Sequence, residues 1–61
     1  MTLKTARKKQ GITIKQAAEQ MGIHRDTLSR WERGKTHPNV IQLKEIERVY
    51  KISYANIEFK Q

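Results

Sequence analysis

Apolar positions along this chain recur at steps of three and four, and no stretch alternates long enough to make a strand. The pattern therefore predicts helices throughout. Over residues 3–10, Leu3, Ala6 and Arg7 share one face while Lys4, Lys8 and Lys9 occupy the rest. A second helix is expected over about 14–21, with Ala17, Ala18 and Met21 inward, and a third over about 25–33. Thr13 stands where an N-cap belongs and Gln16 follows at the third helical position, the pairing of a capping box. Asn39 and Gln42 repeat it after Pro38, opening a fourth helix whose stripe is Val40, Leu43, Ile46, Val49 and Tyr50. Ser53 is expected to cap a last short turn carrying Ile57 and Phe59. Gly11, Gly22 and Gly34 each follow one of the first three periodic stretches, where a left-handed residue closes a helix.

Sixty-one residues set the scale to one domain over 1–61. A chain of this length buries only roughly 60% of its unfolded surface, so its core must be economical. With no cysteine there is no disulfide framework, and the usual thiolate zinc sites are excluded. No apolar run approaches the roughly 18 residues of a membrane span, and no secretory segment opens the chain. The expected setting is the cytoplasm.

Charge changes the picture more. Thirteen Lys and Arg against six acids leave +7, and the excess is uneven. Residues 1–38 hold nine basic and three acidic side chains, whereas residues 39–61 hold four and three. One surface facing a polyanion is implied, nucleic acid before an anionic membrane. No single helix joins a broad apolar face to a basic one, which disfavours the membrane.

The stretch from Ile14 to Gly34 holds the strongest signal. Two short helices crossing at a tight turn need small residues at the crossing, supplied by Ala17 and Ala18. They need a residue tolerant of positive φ in the turn, supplied by Gly22, and apolar residues to seal the junction, supplied by Ile23, Leu28 and Trp31. Leu3-Lys4-Thr5-Ala6-Arg7, Ala18-Glu19-Gln20-Met21-Gly22-Ile23, Leu28-Ser29-Arg30-Trp31-Glu32-Arg33-Gly34-Lys35, Pro38 and Ile52-Ser53 stand in the order and spacing of the lambda-repressor-like helix-turn-helix class. That class includes phage repressor and Cro proteins and xenobiotic-response-element-type regulators. The chain resembles it from Leu3 to about Ile57. The resemblance implies an all-α, five-helix DNA-binding domain, with its helix-turn-helix at about 14–33, acting as a phage- or bacterial-type repressor near the nucleoid. It also implies a structural ion pair between Arg7 and Glu32.

Within the third helix, at about 100° per residue, Leu28 and Trp31 define the inward direction, and Asp26, Ser29, Arg30 and Arg33 face away. Arg25 lies on the flank, at the end that enters the groove first in this motif. Arg25 and Arg30 are expected to read bases, each bidentate to guanine, with Ser29 leaving room for close approach. Asp26 either accepts from cytosine or simply complements the helix dipole. Lys15, Thr27, Arg33, Lys35, Thr36 and Asn39 are the expected phosphate contacts, Asn39 because it opens a helix with free N–H groups. For Lys15 and Lys35 the plainer alternative is a solvated charge, and Lys4, Lys8 and Lys9 either touch the backbone or serve solubility. The expected partner is double-stranded DNA with a pseudo-palindromic operator, bound as a homodimer; Tyr54, Phe59 and the Ile57 region are either the dimer surface or a cap on the core.

Other chemistry finds little support. Gly34-Lys35-Thr36 looks like the end of a phosphate-binding loop, but Ser29 occupies the place of the required first glycine. His24 and His37 have no cysteine partners, so no metal is expected. His24 is placed at the start of the third helix and His37 in a loop. Trp31 and Tyr50 read as core. No nucleophile, base and acid occur together, so neither an enzyme, a cofactor nor a small-molecule substrate is expected. A competing reading is a helix-turn-helix scaffold for protein contact, antitoxin-like or anti-repressor-like, whose outer third-helix face would be acidic or apolar. Three positions depart from the class. Ile14 stands where a glutamine usually anchors a phosphate, and is expected to meet sugar or a thymine methyl instead; Glu47 replaces a small apolar residue, and Lys51 replaces a turn-former.

Overall fold

The computed structural model describes residues 1–59; the expected domain runs two residues further, and these lie outside the described residues. Four helices follow one another: α1 Leu3–Lys9, α2 Ile14–Met21, α3 Arg25–Arg33 and α4 Val40–Tyr50. A 3₁₀ turn, Tyr54–Asn56, comes last.

Each helix begins where a side chain can satisfy its open N–H groups. Thr2 Oγ1 accepts from the N–H of Thr5 at 3.1 Å to start α1. The Thr13–Gln16 box is complete in both directions, at 3.1 and 2.9 Å, and so is the Asn39–Gln42 box, at 2.8 Å each way. Such a cap contributes about 1 kcal/mol, a substantial share for helices of two to three turns. At the start of α3 the cap is His24, whose Nδ1 accepts from the N–H of Asp26 at 3.1 Å.

Gly22 closes α2 with φ +70°, and its N–H reaches back to the carbonyl of Glu19. A Cβ placed there would meet nothing within 4 Å. Glycine is therefore demanded by the backbone angle of the turn rather than by crowding.

The core draws on every helix: Leu3 and Ala6 from α1, Ala17, Ala18 and Met21 from α2, Leu28 and Trp31 from α3, and Ile46, Val49 and Tyr50 from α4, with Ile57 beyond the last turn. Ala17 is fully buried and Ala18 nearly so, which lets α3 cross close above α2.

Three expectations need correction. Val40 is not part of the inward stripe of α4: it is 68% exposed, because the first turn of that helix runs past the edge of the core. The fifth helix is only the three-residue 3₁₀ turn. Ile57 and Phe59 follow this turn in extended chain and are not carried on it. What holds that chain is non-local, since the N–H of Glu58 donates to the carbonyl of Met1 at 2.6 Å and Thr2 and Glu58 form an isolated parallel bridge. Phe59 meets the ring of His37 edge-on, with centroids 6.4 Å apart.

Two of the unusual positions also find an explanation. Lys51 ends α4 in the left-handed region, φ 55°, the one non-glycine among the described residues with positive φ. Glu47 accepts from the N–H of Tyr54 at 2.9 Å and so caps the 3₁₀ turn from the preceding helix.

Candidate nucleic-acid interface

Helix α3 is held along its inner face and from α1. Leu28, 0% exposed, and Trp31, 3% exposed, seal its inner face, and burial of a leucine-sized side chain contributes about 1.5–3 kcal/mol. From α1, Arg7 Nε donates to Glu32 Oε2 at 2.8 Å and Nη2 to Oε1 at 3.4 Å. The two side chains are only 10% and 6% exposed, so this pair sits largely out of water. Arg7 Nη1 also donates to the carbonyl of Ile12 at 3.0 Å, tying the loop between α1 and α2 to the same pair. One guanidinium thereby fixes α3 and the approach to α2 relative to each other.

With its inner face occupied, α3 presents Arg25, Asp26, Arg30 and Arg33 to solvent, while Ser29 and Thr27 are half-buried on opposite flanks. Among the described residues Arg25, Arg30, Arg33 and Lys35 have no acidic partner within 4.0 Å, whereas Arg7 and Arg48 both do. The outer face is thus a set of unneutralised cations on a helix narrow enough for the major groove.

The expected site residues do not gather in one place. Lys15, Arg25, Asp26 and Ser29 line a shared groove of about 680 Å³ together with Arg7, Lys8, Gly11, Ile12, Thr13 and Ile14. Arg30, Arg33 and Thr27 lie outside it, and Lys35 and Thr36 are exposed in the loop after α3. The N–H of Asn39 donates to Gln42 Oε1 and its Oδ1 accepts from the N–H of Gln42, which leaves the exposed Nδ2 group as the donor it can turn to a phosphate. The first-turn donors that the box leaves open are the N–H groups of Val40 and Ile41. His24 Nδ1 lies 3.6 Å from Asp26 Oδ2, but the same nitrogen accepts from the Asp26 N–H, so the pair acts as a cap.

Ile12 escaped sequence reasoning as a member of the site, whereas Lys8, on α1, lines it, as one of its two expected roles allows. Ile12 is held there by the Arg7–Ile12 bond, which connects a side chain to a backbone carbonyl and leaves no sequence signature. Among the described residues no cluster of His, Asp or Glu could hold a metal ion, and no helix is long and apolar enough to cross a membrane.

A family model described as helix-turn-helix matches residues 3–57, nearly the whole chain. No curated protein and no solved structure matches.

Proposed function

The chain belongs to the lambda-repressor- and Cro-like helix-turn-helix family of DNA-binding transcription regulators, and on that premise we propose that it is a repressor-type domain reading a short operator through the outer face of α3. The observation that carries this reading is the exposure of Arg25, Arg30 and Arg33 on a helix whose opposite face is sealed by Leu28 and Trp31.

Arg25, at the amino-terminal end of α3, and Arg30, five residues further on, take guanines in bidentate fashion. Ser29 permits close approach, and Asp26 accepts from a cytosine amino group. Lys15, Thr27, Arg33, Lys35 and Thr36 hold phosphates on either side and set the register of the helix without reading sequence. Dimerisation on a pseudo-palindrome, with half-sites about 34 Å apart, follows from the two-fold logic of such operators. Tyr54, 48% exposed, and the groove of about 380 Å³ lined by His37, Pro38, Leu43, Tyr54, Ala55, Ile57 and Phe59 supply an apolar surface for a second copy. A protein-contact scaffold would want an acidic or apolar outer face on α3, and three arginines there oppose it.

The test is a selection of bound duplexes from a random pool, followed by titration of two variants. Arg30→Ala is expected to relax preference at one base pair by about 1–3 kcal/mol. Lys35→Ala is expected to weaken all duplexes alike and to reduce the slope of log K against log salt by about 1. If no duplex is enriched, or neither variant changes affinity, the reading fails.

A further inference from the structure

The groove beside α3 is chemically mixed in a way that phosphate binding does not explain. Besides the paired Arg7, its cationic members are Lys8, Lys15 and Arg25, which stand with Asp26 around Ile12 and Ile14, both partly buried and packed on the core. A phosphate seated on those two isoleucines would lose water and gain no donor from them. The major groove of a duplex does offer an apolar group of matching size, the C5 methyl of a pyrimidine.

The placement also suits this group. Arg25 and Ser29 are four residues apart on α3, one above the other along the groove wall, and Ser29 is too small to fill the space in front of Ile14. The Arg7 bond to the Ile12 carbonyl at 3.0 Å fixes the loop before any duplex arrives. Cationic neighbours draw in the polyanion, and the isoleucines meet what the polyanion carries on its base edges.

We propose that Ile14, backed by Ile12, is a specificity-determining residue that receives the 5-methyl group of a pyrimidine beside the guanine taken by Arg25. The inference rests on the regulator reading above. The methyl can belong to thymine or to 5-methylcytosine, and the two sources are separable.

A duplex selected by the unaltered protein is remade with each thymine replaced in turn by deoxyuracil, and each cytosine in turn by 5-methylcytosine. Affinities are measured for the unaltered protein, Ile14→Ala and Ile14→Gln. The expected result is a loss of about four-fold at one thymine per half-site, the factor given by one buried methyl at about 0.8 kcal/mol. That loss is absent in both variants. A gain of the same size on methylating one cytosine, again absent in both variants, assigns the site to 5-methylcytosine instead. Ile14→Gln keeps the side chain long where Ile14→Ala opens the edge of the core, so agreement between them separates methyl recognition from loosened packing. A duplex indifferent to every methyl, or a response that persists in Ile14→Gln, overturns this inference alone. Failure to select any duplex overturns the regulator reading and this one with it.

Discussion

The two faces of α3 use charge in opposite ways. On the inner edge, Glu32 is matched by Arg7 at 2.8 Å and both are nearly out of water. On the outer face, Arg25, Arg30 and Arg33 are exposed and form no ion pair within 4.0 Å among the described residues. Matched charge in a low-dielectric setting costs desolvation and returns fixed geometry. Unmatched charge in water adds nothing to the fold and leaves the cation free for an anion from outside. The same nine-residue helix is thereby scaffold on one side and ligand surface on the other, and each side can be perturbed without the other.

The inner side gives the largest effect. Arg7→Ala leaves Glu32 buried without a partner and frees the Ile12 carbonyl. The expected loss is about 3–5 kcal/mol of stability, which at roughly 4–8 °C per kcal/mol for a domain of this size brings thermal unfolding down steeply. Arg7→Met combined with Glu32→Leu removes both charges and is expected to recover most of that loss in the same melting experiment. If the double variant is no better than the single one, the pair is not the reason for the loss.

Next in size is Tyr50. Its side chain is 1% exposed and its hydroxyl is buried with no hydrogen-bond partner. Tyr50→Phe removes that orphan group without changing the shape of the core, and a gain of about 1 kcal/mol in denaturant unfolding is expected. Burial, and secondarily the negative charge of Glu32, hold the phenol pKa well above its ordinary value, with Arg7 pulling the other way. The folded state therefore favours the protonated phenol. The contribution is fully present below the unfolded pKa of about 10 and is lost as pH rises beyond it. The unaltered protein should lose stability above about pH 10 more steeply than Tyr50→Phe, and equal slopes would remove this group as the cause.

What could be read from the sequence was local, and what could not was long-range. Thr13 with Gln16 and Asn39 with Gln42 lie three residues apart, so each box is specified wholly by neighbours and marks its helix start without reference to the rest of the fold. The inward direction of α3 follows from Leu28 and Trp31 through the helical period alone. Val40 misled for a related reason. Its spacing continues the stripe of α4, but whether a turn of helix has core beneath it depends on where the other helices end. The groove in front of Ile14 depends on Arg7 reaching Ile12, and the final extended segment depends on pairing between Met1 and Glu58 across the whole chain. Glu47 departs from the small apolar residue of the class, and its partner is the backbone of Tyr54. No periodicity announces such contacts.

Lys51 offers a smaller effect of the opposite sign. A side chain at φ 55° carries a cost that glycine does not, so Lys51→Gly is expected to raise stability by up to about 1 kcal/mol. The gain is partly offset by the freedom that glycine adds to the unfolded chain. Because Lys51 closes α4 and is not among the residues assigned to the duplex, DNA affinity should not change with it. A fall in melting temperature would mean that the lysine makes a compensating contribution to the last turn.

The smallest effect is the most informative about the outer face. Arg30→Ala and Arg33→Ala remove cations that touch no acid, and surface changes of this kind stay within about 0.5 kcal/mol. Arginines held for the fold would behave like Arg7 and lower the melting temperature when removed. Arginines held for a duplex should leave melting of the free protein unchanged while weakening its complex. Melting each variant with and without a selected duplex separates the two. If either variant melts several degrees lower with no DNA present, that arginine belongs to the scaffold, and the division between the two faces of α3 no longer holds at that position.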